Sequence, residues 1–234
     1  MGKINNIVII GASSSIGSSI VSKFRLSSNR IIASYLSKQN ILSGKNIYPL
    51  KLDLKMNKSI ENFIKEVRLI VSHIDTLIFL AGILPGKSLN EYSLADIEKV
   101  MTVNFTGQVK VIKGVLPLLN SSSQIIMISS IAAQKGSYDP IYSASKGAIL
   151  SFVKSLATEL DGIRVNAIAP GLIEDSTMSK EMSESRRELH RQQTSQKRLL
   201  RMSDLAGVIY DISKNHWKHL NGACIDLNGG QYVR

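Results

Sequence analysis

Only one cysteine, Cys224, occurs in 234 residues. A single thiol can neither close an intramolecular disulfide nor supply a cysteine-rich zinc site, so the chain suits a reducing compartment. Long hydrophobic runs are missing too: no window approaches the roughly 20 apolar residues of a membrane span. After Lys3 the first apolar run covers only Ile7 to Ile10, with no small-residue cleavage site behind it, so a signal peptide is not expected. Met1-Gly2 is followed by Asn6 where a myristoylation motif requires Ser or Thr. A soluble, cytoplasmic protein without a membrane partner is the expectation. Acids are scarce, with 18 Asp and Glu against 29 Lys and Arg, a net charge of +11. From Lys180 to Arg201 seven cations face three Glu. Such a surface attracts nucleotide phosphates, acidic carrier proteins or nucleic acid, and a solvated helix face is the plain alternative. Zinc-finger spacing, an Arg-rich tract and an aromatic RNP-like segment are all lacking, which argues against a nucleic-acid partner. His73, His190, His216 and His219 show no ligand spacing, so no metal is expected. Trp217, the only tryptophan, is expected to pack near the last strand.

What is present is a regular alternation. Seven β-like runs, Ile7–Ile10, Ile31–Tyr35, Ile47–Leu52, Thr76–Leu80, Gln124–Ile128, Arg164–Ile168 and Ala223–Leu227, are separated by helical patterns. Most are nearly continuous in apolar residues, as expected of parallel strands buried on both faces. Ile16, Ile20, Val21 and Phe24 follow the first run; Ile60, Phe63, Ile64 and Val67 follow the third. Ala148, Phe152, Leu156 and Leu160 form a stripe after the fifth. Ser203 reads as an N-cap before Leu205, Val208, Ile209 and Ile212. The segment after Tyr35 is short and leaves a stunted helix between Asn40 and Gly44. The alternation predicts one α/β domain over 1–234, a Rossmann-type doubly wound parallel sheet of about seven strands with helices on both faces. The polar, weakly periodic segment at about 174–200 reads as a substrate-side insertion or lid.

In such sheets ligands bind beyond the carboxyl ends of the strands. Gly11-Ala12-Ser13-Ser14-Ser15-Ile16-Gly17 joins the first strand to the first helix, where a tight turn and helix-start N–H groups suit a pyrophosphate. A serine-rich helix cap is the ordinary alternative. Tyr142 and Lys146 lie four residues apart, on one face of a helix. A nearby cation favours the phenolate, so Lys146 is expected to lower the tyrosine pKa toward the range useful in acid–base work. Taken separately, the pair reads equally as a surface helix contact, Ser130 as a strand end and Asn104 as a satisfied buried amide. Asp53 either borders a bound adenine or caps a helix.

Together, over essentially the full length, these residues resemble the short-chain dehydrogenase/reductase family, most closely its 3-oxoacyl-(acyl-carrier-protein) reductase branch. The family's Thr-Gly-x-x-x-Gly-x-Gly turn falls on Ile10-Gly11 through Ser15 and Gly17, and its Asn-Asn-Ala-Gly on Phe79-Leu80-Ala81-Gly82. Its asparagine, serine and Tyr-x-x-x-Lys fall on Asn104, Ser130, Tyr142 and Lys146. Arg164 through Gly171 and Asn221 through Gly230 match further segments. Ser15, Ile10, Phe79 and Leu80 depart from the pattern: Ser15 adds bulk beside the nucleotide, and the lost side chains leave bracing to packing.

The resemblance implies hydride transfer between NADP(H) and a carbonyl or secondary alcohol. Tyr142 would give the proton, Ser130 hold the oxygen, Lys146 tune the phenol and bind the nicotinamide ribose, and Asn104 position a water. Cofactor contacts are implied at Gly11, Ser13, Ser14, Ser15, Ile16, Gly17, Tyr35, Ser37, Lys38, Asp53, Leu54, Ala81, Gly82, Tyr142, Lys146, Pro170, Gly171 and Ile173. The second strand ends in Tyr35-Leu36-Ser37-Lys38, with no acid to hold a ribose 2′-hydroxyl and a cation suited to a 2′-phosphate, which favours NADP over NAD. A 3-oxoacyl thioester, free or carrier-bound, is the leading substrate class. A sugar or small alcohol is the alternative, and a non-catalytic scaffold binding through its basic face is the rival from another class. A homotetramer, or a dimer, is the family expectation.

Overall fold

The computed structural model describes residues 4–27, 29–37 and 43–233. Seven strands form one parallel sheet: β1 (Asn6–Ile10), β2 (Arg30–Tyr35), β3 (Ile47–Lys51), β4 (Thr76–Phe79), β5 (Gln124–Ile128), β6 (Arg164–Pro170) and β7 (Cys224–Leu227). Their order is β3-β2-β1-β4-β5-β6-β7. The chain winds outward from β1 to β3, returns to β4 beside β1, and winds the other way to β7. The reversal falls between β1 and β4, where Ile10 is opposite Phe79, and it opens a crevice at their carboxyl ends.

Every residue of β1 and β4 is buried, because helices cover both faces. Alternation along β1 divides the core: Val8 and Ile10 pack on one side, Ile7 and Ile9 on the other. The first side receives α2 (Asn57–Ile70), α4 (Gly107–Val115) and α6 (Pro140–Glu159), with Phe63, Val111 and Val153. The second receives α1 (Ser15–Phe24) and α9 (Met202–Ile212), with Ile20, Phe24, Leu205 and Ile209. Phe24 meets Tyr210 edge-on at 5.3 Å between centroids, locking these two helices together. Each fully buried side chain of this size contributes about 1.5–3 kcal/mol relative to exposure. Pro49 lies within β3, where an edge strand tolerates its missing N–H.

Three local expectations need correction. The buried face of α6 is Ile149, Val153 and Leu156, so of the expected Ala148-Phe152-Leu156-Leu160 stripe only Leu156 is buried. This helix is apolar on more than one side: Phe152 and Leu160 pack at the margin of the core, Phe152 edge-on against Phe105 at 5.6 Å. Ser203 lies inside α9 rather than at its cap: Arg201 is the N-cap, and Asp204 Oδ2 accepts its N–H at 3.1 Å. Trp217 is 44% exposed in a 3-10 turn before β7, where its ring lies 5.7 Å from that of His216 and its backbone carbonyl accepts from Arg164. The stunted helix near Asn40 falls largely outside the described residues.

Between Ile173 and Leu200, which form an isolated parallel bridge, lie α7 (Thr177–Lys180) and α8 (Glu184–Gln193). The remaining helices are α3 (Leu94–Met101) and α5 (Ala132–Lys135). No helix among the described residues is long and apolar enough to cross a membrane.

Candidate active site

The parallel strands aim their carboxyl ends at one edge, and the expected site residues gather there. Asn104 lies in a π-helical turn, Thr102–Thr106, that joins α3 to α4. One extra residue per turn swings its amide inward, where it is fully buried. Asn104 Oδ1 accepts the Ile83 N–H at 2.8 Å, and its Nδ2 donates to the Ile83 carbonyl at 3.0 Å and to Ser145 Oγ at 2.9 Å. The loop after β4 is thereby clamped to α6. Ser145 in turn donates to the Tyr142 carbonyl at 2.7 Å.

Helix α6 begins with Asp139 as N-cap and Pro140 in its first turn, a favoured start. Lys146 is 4% exposed; its Nζ donates to the Ile128 carbonyl at 2.9 Å and lies 5.9 Å from the Tyr142 ring centroid. Burial pushes this ammonium down to about 8. Ser130, at the end of β5, accepts the Ala132 N–H at 3.1 Å. Protein crowds Tyr142 densely enough that burial pushes its phenol up; nearby Ser130 pulls it back, while Asp139 pushes it further up. The expected lowering by Lys146 is therefore not the governing effect. Loss of solvation outweighs a cation that is itself desolvated and directed at a carbonyl. The phenol is held protonated, the form that can donate.

The turn after β1 is built for close approach. Gly11 adopts φ +88°, and a Cβ there would sit 2.7 Å from the Ala81 nitrogen. Its N–H donates to Ser34 Oγ at 2.8 Å. Ser14 caps α1, accepting the Gly17 N–H at 3.0 Å and donating to the Gly11 carbonyl at 2.8 Å. The N–H groups of Ser15 and Ile16, half-buried with Ser13, have no hydrogen-bond partner among the described residues and face the helix start. Across the crevice a Cβ on Gly82 would lie 3.2 Å from Lys146 Nζ and 3.5 Å from Asn104 Oδ1. The space beside both side chains is thus kept open by glycine.

The other expected contacts occupy the same edge. Tyr35 ends β2 and Ser37 follows it, exposed; Lys38 lies outside the described residues. Asp53 accepts the Lys55 N–H at 2.9 Å and pairs with its ammonium at 3.8 Å, a local turn before α2. Buried Leu54 follows it. The Pro170 carbonyl accepts the Ile131 N–H, the Gly171 N–H donates to the Leu227 carbonyl, and Ile173 is buried at the bridge. Bracing at Ile10, Phe79 and Leu80 is by packing and main chain: Ile10 and Phe79 are each 1% exposed, and the Leu80 N–H donates to the Ile10 carbonyl at 2.8 Å.

Sequence reasoning missed Ser145, Gln108 and Asp139. Gln108 Nε2 donates to the Ala81 carbonyl at 2.9 Å and fixes the strand end beside Gly82. Its signal was a polar residue within an otherwise apolar helix face, next to Asn104. Asp139 carried the Asp-Pro helix-start signature three residues before Tyr142.

A doubly wound parallel sheet with a helix-start cradle and a desolvated lysine beside a half-buried phenol has the layout of a dinucleotide-binding oxidoreductase. Comparison with known proteins agrees. The family model for short chain dehydrogenases matches residues 5–187. The 3-oxoacyl-[acyl-carrier-protein] reductase of Aquifex aeolicus is 28% identical over 99% of this chain and 98% of its own. That of Buchnera aphidicola subsp. Baizongia pistaciae is 30% identical over 98% and 88%. The crystal structure of a short-chain dehydrogenase/reductase of Brucella melitensis, titled glucose/ribitol dehydrogenase, superimposes with a TM-score of 0.92, 30% identity, and coverage of 98% and 97%. The chain belongs to the short-chain dehydrogenase family.

Proposed function

We propose that the protein is an NADP(H)-dependent reductase of ketones, with a 3-oxoacyl thioester as its leading substrate class. The observation that carries this reading is that Asn104 and Lys146 border the glycine-lined space at Gly82, with the Tyr142 ring 5.9 Å from the Lys146 ammonium and Ser130 close to the phenol. A nicotinamide dinucleotide fits the residues present. The N–H groups of Ser15 and Ile16, unpaired among the described residues, suit a pyrophosphate; glycine at 11 leaves room where a Cβ would collide, and glycine at 82 where one would crowd Lys146. When bound, that cofactor supplies the hydride.

The chain supplies the proton and the geometry. Tyr142, held protonated, donates to the carbonyl oxygen, and Ser130 hydrogen-bonds the same oxygen. Lys146, whose ammonium donates to the Ile128 carbonyl, would hold the cofactor's ribose, while Asn104 keeps the loop at Ile83 in place. The 3-oxoacyl preference is supported by the names of the two reductase relatives. A sugar or small-alcohol dehydrogenase is the second reading, favoured by the name of the Brucella protein. NADPH turnover against a panel of 3-oxoacyl thioesters, ketones and sugars separates them, and no oxidation with any member would refute the reductase.

The NADP preference rests on the absence of an acid after β2 and on Lys38. Lys38→Asp is expected to lower the NADPH-to-NADH ratio of kcat/KM by roughly tenfold or more. An unchanged ratio would remove the specificity argument.

We assign segment 174–200 as a lid over the substrate side. In support, Arg186 of α8 stacks 3.9 Å from the Tyr138 ring, just before the catalytic helix, and Ser195 joins the Gly229 carbonyl. Assembly as a homotetramer, through the Ile97–Leu119 and Ser143–Leu160 helices and the half-exposed β7 edge, follows the family expectation. Sedimentation equilibrium is expected to give four times the 25.7 kDa chain mass; a concentration-independent monomer would exclude it.

A further inference from the structure

Asp139 is fully buried, yet among the described residues no Lys, Arg or His pairs with it. Every polar group around its carboxylate is a donor. Oδ1 accepts the Tyr142 N–H at 2.8 Å, and Oδ2 accepts the Gly86 N–H at 2.9 Å and the Lys87 N–H at 3.3 Å. The Tyr92 hydroxyl lies 2.8 and 2.9 Å from the two oxygens. An acceptor-only group with this many donors is an ionised carboxylate, compensated by main-chain dipoles and the start of α6 rather than by a counter-ion.

These contacts join segments far apart in sequence. The loop from Ala81 to Tyr92 carries Gly82 and Ile83, the residue clamped to Asn104. Helix α6 carries Tyr142 and Lys146. Both hang from one carboxylate, which also sets a negative charge without a counter-ion one turn before the phenol.

We propose that Asp139 is a positioning residue for the reaction: it fixes the catalytic helix against the loop at Gly82–Ile83 and sets the field in which Tyr142 gives up its proton. Tyr92 is its partner, drawing part of that charge into a hydrogen bond. The proposal rests on Tyr142 being the proton donor. The other groups around the phenol are assigned elsewhere. Lys146 is directed at the Ile128 carbonyl and Ser130 lies at the strand end. Lys87 binds Asp96 at 2.7 Å, and Tyr138 lies under Arg186, with Lys135 and His190 on that same side. Asp139 is thus the anion that acts on Tyr142, in the direction that keeps the hydroxyl protonated.

The test compares pH profiles of reductive kcat/KM for Asp139→Asn and Tyr92→Phe. Removing the negative charge favours the phenolate, so the proton donor is lost at lower pH. The alkaline pH at which reductive kcat/KM falls should move down in Asp139→Asn relative to wild type, by roughly one pH unit. Tyr92→Phe unmasks the charge and should move the same limb up, by a smaller amount. Equal losses at every pH, or shifts of the same sign, would leave Asp139 a structural cap and overturn the proposal. If Asp139→Asn does not fold, Tyr92→Phe alone decides. The onset of tyrosinate absorbance, measured against the same chain carrying Tyr142→Phe, gives an activity-independent readout that must shift with the same signs. Full turnover in Tyr142→Phe would instead refute the proton-donor reading, and so distinguishes the two failures.

Discussion

Tyr142→Phe is expected to lower reductive kcat by roughly a hundredfold to ten-thousandfold, the range contributed by a positioned general acid. Dinucleotide affinity, read by quenching of the cofactor's fluorescence, should change by less than about threefold. The substitution removes one oxygen. The ring still fills its place beside Lys146, and the backbone contacts of Tyr142 with Asp139 and Ser145 do not involve the hydroxyl. What disappears is the donor whose proton the site retains by burial. Equal losses in kcat and kcat/KM would mark an interaction made only in the transition state. Wild-type turnover in this variant would mean that the proton arrives by another route and that the phenol is structural.

Gly11→Ala is expected to have the second-largest effect, through the crevice rather than the chemistry. At φ +88° any side chain is strained, and here the added Cβ meets main chain, 2.7 Å from the Ala81 nitrogen and 2.9 Å from its Cα. Neither neighbour can swing aside: the Ala81 N–H is bonded to Ile10 and the Ala81 carbonyl to Gln108. The turn must therefore shift away from β4, taking the helix-start N–H groups of Ser15 and Ile16 with it. A cost on the order of 1–3 kcal/mol follows, with Tm lowered by several degrees for a chain of this size. Dinucleotide binding should weaken by about tenfold or more. Thermal unfolding with and without NADPH measures both effects. An unchanged Tm and affinity would show that the turn is looser than its geometry implies.

The sheet was legible because β-strands buried on both faces must be apolar throughout, and Ile7–Ile10, Thr76–Phe79 and Gln124–Ile128 have no other stable environment. The site was legible where it follows short-range rules: a glycine turn after a strand, a tyrosine and lysine one helical turn apart. It was less legible where apolar residues surround a helix, so that Phe152 and Val153 compete for the core face of α6. It failed where an interaction joins distant segments. Nothing local ties Asn104 to Ile83 and Ser145, or Asp139 to Gly86 and Tyr92, since those pairings exist only once β4 and β5 lie side by side. The sign of the Tyr142 perturbation failed for the same reason. Helical spacing reports the neighbouring cation, whereas desolvation depends on everything the fold packs around the ring.

The central claim is that this edge of the sheet passes a hydride from a nicotinamide to a ketone carbon while Tyr142 protonates the oxygen. Mass analysis of the alcohol formed from a 3-oxoacyl thioester and NADPH deuterated on the transferring face of the nicotinamide tests it directly. One deuterium on the carbinol carbon is predicted with the wild-type chain, and the same label formed at least roughly a hundredfold more slowly with Tyr142→Phe. An unlabelled alcohol, or no alcohol from any ketone while the dinucleotide still binds, would contradict the account.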